Sequence, residues 1–296
     1  MSENPPTVTV IIPTYNSSST LNLSLETVLK QDLTDFEVWV VGDGCTDDSE
    51  EVVASFDDGR VRWMNLPVNS GTPSEPRNEG LRRARGRFIA YLGHDDLWFP
   101  WHLSELVDCA EESDSDFVFS LGMMMGPEGI TGAFTLPQQG WPRQSGISPS
   151  NWLHQRRLTE VIGSWSPDLR TGDDRDFLQR VLAANVRLGF RQQFSVLKFP
   201  ATLWRMYSLT SNYPQLPYVE AMSHDAEALR IELLTELATA MARQGLSFHK
   251  PASHLPAPLR ALILRVFAFY GYRRWPLDKF SHWRYRQKSG LADKQR

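Results

Sequence analysis

The chain has 296 residues, 41% hydrophobic and 22% charged, which suits one large domain or a domain with an extension and allows a substantial core. Its net charge of −4 gives no overall attraction to nucleic acid. Its two cysteines, Cys45 and Cys109, argue against a disulfide framework and against a cysteine-based zinc site.

Thr7 to Ile12 is an unbroken β-branched run that Pro13 ends, the pattern of a strand buried on both faces. Ser17, Ser18 and Ser19 offer N-caps to a helix whose apolar face is Leu21, Leu25, Val28 and Leu29. A second strand is expected over 36–41. After Gly42 to Asp48 comes a helix over 48–56, with Asp47 and Glu50 as its capping box. A weaker strand falls at 61–65. Ser74, Glu75 and Pro76 open a helix that runs to about Ala84, and a strand follows at 88–92. The order β-α-β-α-β-α-β with short linkers implies right-handed crossovers and a doubly wound, mostly parallel α/β sheet of Rossmann-like type. A helix over 101–112 and a strand over 117–121 continue it. Residues 123–149, rich in Gly, Pro and Gln, read as loops or an irregular hairpin. A short helix is expected over 152–161 and another from 171, with strands at 194–199 and 201–207. Residues 211–217 mark a boundary. The expected division is a domain over 1–212 and a mainly helical C-terminal extension over 213–296, with helices at 219–244 and 259–270.

Four polar clusters fall at strand ends or helix starts: Thr14-Tyr15-Asn16, Asp43, Asp95-Asp96 and Asp173-Asp174. Arg77 joins them from the first turn of its helix. In a doubly wound sheet such points converge on one edge, where ligands bind. Each has an ordinary alternative: a turn for Asp43-Gly44, capping for the two acidic pairs, a surface or packing role for Arg77. Asp95 and Asp96 stand out because adjacent carboxylates repel unless something positive lies between them.

As an ordered set these segments resemble the family 2 glycosyltransferases of the GT-A fold, across about residues 7 to 210. The matching text is Val8 to Asn16; Gly42-Asp43-Gly44-Cys45-Thr46-Asp47; Pro76-Arg77-Asn78-Glu79-Gly80-Leu81 with Ala84-Arg85-Gly86; Tyr91 to Trp98; and Thr171-Gly172-Asp173-Asp174. The resemblance implies an inverting transferase that moves a sugar from a nucleotide donor, UDP-linked by preference, to a hydroxyl of a glycan or lipid-linked acceptor. It assigns Pro13, Thr14 and Tyr15 to the base and ribose, Asp43 to a base N–H, and Arg77 to the region of base and diphosphate. Asp95, with Asp96 beside it, would hold a divalent cation, Mn²⁺ or Mg²⁺, on the diphosphate. Of Asp173 and Asp174, the second is the general base. A hard cation offsets charge on the leaving diphosphate, and a carboxylate base activates a hydroxyl nucleophile.

Two positions depart from the family pattern. Gly42 replaces the first aspartate before Asp43, and Gly93 replaces the first aspartate of the triplet Gly93-His94-Asp95. His94 is placed with the ribose contacts rather than with the metal, since imidazole is a less natural partner for Mg²⁺ than carboxylate. The altered triplet motivates a second reading, a catalytically idle domain that binds a nucleotide-sugar or glycan for a partner. A nucleotidyltransferase ranks third, because Thr14 to Thr20 contains neither glycine nor lysine. Trp98, Trp141, Trp152 and Trp165 are acceptor-site candidates, with core the favoured reading for any given one, and Arg205 could reach a phosphate or a surface acid. The C-terminal tail interleaves Arg273, Arg274, Lys279, Arg284, Arg286 and Lys288 with aromatic residues. That composition suits an anionic membrane surface, packing on the catalytic domain, or a homodimer contact. Residues 1–10 lack a basic region followed by an apolar run, and no window reaches about 18 apolar residues. The expectation is a cytoplasmic protein, peripheral at the inner membrane face, with no nucleic-acid partner.

Overall fold

The computed structural model describes residues 4–127, 129–134, 147–200 and 213–244. Expected features at Trp141, 201–207, Arg205 and 259–296 lie outside these. In chain order the elements are β1 (Val8–Thr14), α1 (Ser18–Leu29), β2 (Phe36–Gly42), α2 (Ser49–Ser55), β3 (Val61–Asn65), α3 (Ser74–Arg83), β4 (Phe88–Tyr91), β5 (Leu97–Trp98), α4 (His102–Glu112), β6 (Phe117–Gly126) and β7 (Gly129–Phe134). After a 3-10 turn at Pro149–Asn151 come β8 (Trp152–Gln155), α5 (Leu158–Ile162), α6 (Asp173–Ala183), β9 (Leu188–Lys198) and α7 (Leu216–Gln244).

Among the described residues one nine-stranded sheet runs β3-β2-β1-β4-β8-β6-β9-β5, with β7 paired to β6. The half β3-β2-β1-β4 is parallel, as the alternating elements predict. The other half is mixed: β8 is antiparallel to β4 and β6, while β6 and β9 run parallel. The short helix expected over 152–161 is instead β8 followed by α5. Trp152, Leu153 and His154 are fully buried between β4 and β6, so the sheet's open hydrogen bonds decide their conformation. The expected strand at 194–199 begins earlier, at Leu188, and bends where its register with β6 shifts near Leu121.

Two caps differ from expectation. Asp47 lies before the helix start and forms no box with Glu50. It takes Ser49 Oγ at 2.6 Å and Ser18 N at 3.0 Å, joining the starts of α1 and α2. Ser17 caps without its side chain, which donates to the Tyr15 carbonyl.

Val10, Ile12, Val38, Val40 and Leu92 pack on one face of the sheet with α1 and α4. Ile11, Tyr91, Trp152, Trp165 and Phe177 fill the other, under α3 and α6. A third cluster surrounds β5, β6, β7 and β9 and is closed by Val219, Met222, Leu229, Leu233 and Leu237 of α7. The helices thereby leave the carboxyl ends of β1, β2 and β4 as the edge on which the polar residues gather.

Candidate active site

At the first corner, β1 and β2 end side by side. Asp43 N donates to the Thr14 carbonyl at 2.8 Å, so the two strand exits are tied at the point where they diverge. Asp43 is buried, and its carboxylate accepts from Ser70 N at 2.9 Å and Ser70 Oγ at 3.0 Å. Gly44 turns the chain at φ 73°, a left-handed angle that favours glycine. Asn65 clamps Cys45 through two bonds of 2.8 Å, and Asn16 accepts from Thr46 N at 2.8 Å. Tyr15 stands out of this loop, 42% exposed. Pro13 and Thr14 are buried beneath it.

The second corner follows β4. The turn Gly93–Asp96 closes with Asp96 N donating to the Gly93 carbonyl at 3.0 Å. His94 Nδ1 donates to the Pro13 carbonyl at 3.2 Å, which binds the two corners together. Asp96 is fully buried. Its Oδ2 accepts from Lys198 Nζ at 2.8 Å and Ser150 Oγ at 2.5 Å, and its Oδ1 from Phe199 N at 3.1 Å. Asp96 is thus an internal anchor. This corrects its expected place beside Asp95 as a metal ligand, because both of its oxygens are engaged away from solvent. Asp95 is 8% exposed, and among the described residues its carboxylate accepts no hydrogen bond; only its backbone carbonyl is used, by Gln215 Nε2 at 3.0 Å.

Burial works against the charge on Lys198, but the fields of Asp96 and Asp95 outweigh it and hold the ammonium above its ordinary pKa. Burial pushes the Asp96 carboxyl up, opposed by Lys198. A Cβ at Gly93 would lie 2.9 Å from both Asp95 Oδ1 and Asp96 Oδ2, so the two carboxylates converge on the space a side chain there would fill.

The third corner joins α3 to α6. Arg77 Nη1 meets Asp173 Oδ2 at 2.5 Å, with both side chains 11% exposed, and its guanidinium stacks 4.3 Å from the Trp165 ring. Asn78 holds the Trp165 backbone at both ends, at 2.8 and 2.9 Å. Of the three acids in the first turn of α6, Asp173 is paired with Arg77, and Asp176 with Ser166 and Arg180. Asp174 is half-buried. Among the described residues its carboxylate takes only the neighbouring Arg175 N, at 2.7 Å, and has no side-chain partner. Burial lowers the pKa of Arg77, while Asp173, Tyr91 and Asp174 push it back up. Arg77 in turn weighs on Lys198, so the second and third corners share one electrostatic neighbourhood.

The expected residues therefore occupy one sheet edge. Sequence reasoning missed Ser70, Ser150 and Lys198, which hold Asp43 and Asp96 in place. Trp98, Trp152 and Trp165 are at most 1% exposed and serve as core, not as an open sugar platform. A cavity of about 430 Å³ between α1, α2 and the start of α7, lined by Asn22, Asp48 and Tyr213 among others, contains none of the expected site residues. Among the described residues no group of three or more His, Cys, Asp or Glu is placed to hold a metal ion by itself.

Residues 9–133 match the family described as Glycosyl transferase family 2. The chain is 30% identical over 132 residues to the UDP-Glc:alpha-D-GlcNAc-diphosphoundecaprenol beta-1,3-glucosyltransferase WfgD of Escherichia coli, covering 45% of this chain and 52% of that protein. The chain thus spans about half the length of this curated relative. Staphylococcus aureus TarS 1-349 in complex with UDP-GlcNAc has a similar fold, with a TM-score of 0.58 at 23% identity over 80% of this chain and 73% of that one. So does the mannosyltransferase PcManGT of Pyrobaculum calidifontis in complex with GDP-Man and Mn2+, at a TM-score of 0.54 and 18% identity over 99% of this chain and 89% of that one. Residues 9–133 therefore carry a segment similar to glycosyl transferase family 2, and the chain shares the GT-A fold of these glycosyltransferase structures.

Proposed function

We propose that this chain is an inverting glycosyltransferase, moving a sugar from a UDP-linked donor to a hydroxyl of a glycan or lipid-linked acceptor in cell-surface polysaccharide synthesis. The observation that carries the reading is a pair of available acids. Among the described residues Asp95 and Asp174 have no side-chain partner, while their neighbours Asp96 and Asp173 are neutralised by Lys198 and Arg77. Asp43, held by Ser70, accepts the N–H of the base, with Pro13, Thr14, Tyr15 and His94 beside base and ribose. Arg77 sits near the diphosphate while bracing Asp173. Asp174 takes the proton of the acceptor hydroxyl.

A divalent cation suits Asp95. Hard cations keep water and phosphate oxygens as ligands, so one protein carboxylate is enough. When bound, Mn²⁺ or Mg²⁺ offsets negative charge on the leaving diphosphate. The proposed division keeps 1–212 as the transferase domain and 213–296 as an extension that starts with α7 already packed on the sheet. We place its work in the cytoplasm at the inner face of a membrane, with the tail as the contact to lipid or to a second copy. No helix among the described residues is long and apolar enough to cross a membrane.

The test is incubation with UDP-, GDP- and dTDP-sugars, Mn²⁺ and a panel of glycan and lipid-linked acceptors, with transfer and donor hydrolysis read by chromatography. Asp174→Asn should lower transfer by at least about a thousandfold while UDP affinity stays within about threefold. Retained transfer would remove Asp174 as the base. Gly93 favours one competing reading, an idle nucleotide-sugar-binding domain; donor binding without turnover in the wild type would select it.

A further inference from the structure

The acidic corner holds a fixed cation of its own beside the one carboxylate left for a metal. Gly93 contributes no carboxylate, and Asp96 spends its charge on Lys198. What remains is one open carboxylate, Asp95, beside a fixed ammonium. Lys198 is the last residue of β9, in register with Met124 of β6, and the residue before it, Leu197, also pairs with Leu97 of β5. Its side chain is 24% exposed. Among the described residues its Nζ meets Asp96 alone, and an ammonium has three donors, so N–H groups remain for a ligand oxygen. Asp95 and Asp96 converge on the empty Cβ position of Gly93, and Lys198 binds the same Asp96 oxygen that faces that space. A diphosphate entering this corner meets Asp95, which requires a counter-charge, and Lys198, which is one.

Resting on the function proposed above, we propose that Lys198 is a built-in cation of the donor site, donating to a diphosphate oxygen and taking over part of the charge compensation otherwise left to a divalent metal. Asp96 fixes the ammonium and Ser150 fixes Asp96, so the charge is positioned before the ligand arrives. Preorganised donors of this kind are effective because the site does not have to reorganise around the ligand. The small residue at position 93 is part of the same arrangement. A side chain there would press on both carboxylates and close the space in which ammonium, Asp95 and phosphate meet.

The test uses the full chain and UDP, with uridine as the ligand lacking phosphates. Affinities are measured by calorimetry in EDTA and in saturating Mn²⁺ for wild type, K198R, K198Q and the double variant D96N/K198M. The double variant removes the ammonium without leaving Asp96 charged and unpaired, and thermal melts confirm that each variant is folded. Wild type should bind UDP in EDTA. Loss of the ammonium should weaken that binding by about ten- to a hundredfold, the range of a hydrogen bond to a charged group. The loss should shrink in Mn²⁺, K198R should recover most of it, and uridine binding should not change. If wild type binds UDP only with Mn²⁺, or if folded K198Q and D96N/K198M bind UDP in EDTA like wild type, the proposal is wrong while the transferase reading stands. If wild type binds no nucleotide in either condition, the transferase reading itself fails.

Discussion

Asp96 has no contact with water, and its partners come from two segments far from it in the chain: Ser150, and Lys198 with the backbone of Phe199. Breaking a buried ion pair from one side is costly because the remaining charge keeps its desolvation penalty without compensation. Asp96→Asn preserves size and leaves Lys198 without a counter-charge at that oxygen. It should destabilise the protein by about 3 kcal/mol, read from urea unfolding at pH 7. An unchanged midpoint would mean that the ammonium is already solvated. The motif that announces this corner was legible: adjacent aspartates after a strand stop at Gly93. The partner was not. Lys198 lies 102 residues away, and a lysine at the end of an amphipathic strand carries no signature of its own. Ser70, 27 residues from Asp43, and Ser150, 54 from Asp96, were hidden for the same reason.

Elements buried on both faces read clearly, since a parallel strand such as β1 or β2 is an unbroken apolar run bounded by turns. β8 did not, because Trp-Leu-His-Gln has no strand period and becomes a strand only by filling the gap between β4 and β6. The long helix α7 shows a subtler device. At Asp225 the backbone leaves the helical region (φ −156°, ψ 96°), and the Asp225 side chain accepts from Ala228 N at 2.9 Å. That is the geometry of an N-cap, so a second helical segment begins inside what the composition reads as one. The bend lets Val219 and Met222 before it, and Leu229, Leu233 and Leu237 after it, reach the same core cluster. Asp225→Ala should cost about 1 kcal/mol, seen as a lowered urea midpoint with unchanged slope. A stability equal to wild type would show that packing alone sets the kink.

Across the whole molecule, the parallel half of the sheet carries the expected nucleotide residues together with Ser70 and Arg77, which hold Asp43 and Asp173, and the mixed half supplies Ser150 and Lys198, which hold Asp96. The mixed half also contains two histidines sealed from water. His102 on α4 bonds Ser195 of β9 through Nδ1 at 2.8 Å, and His154 on β8 meets the Tyr91 hydroxyl at 3.1 Å. Burial alone lowers His102 to about 3, and burial against a weaker pull from the Gln155 carbonyl lowers His154 to about 4. Both are neutral in the folded protein, whereas in the unfolded chain they titrate near 6.5. Between about pH 6.5 and 4 these two rings give the unfolded state the larger proton count and make stability rise with pH, opposed by Asp96, whose carboxyl burial pushes up. Asp47 and Asp58, whose pKa values are lowered, add their losses only below the ordinary carboxylate range. Urea midpoints measured from pH 7.5 to pH 5 should fall steadily as the pH drops below 6.5 and stay flat above it. His154→Gln, which keeps polar atoms near Tyr91 but does not titrate, should flatten the slope by about half even if it lowers stability at every pH. A wild-type profile with no change between pH 7.5 and 5 would require both rings to gain protons without unfolding, which the packing of His154 against Phe117, Tyr91 and Phe177 opposes.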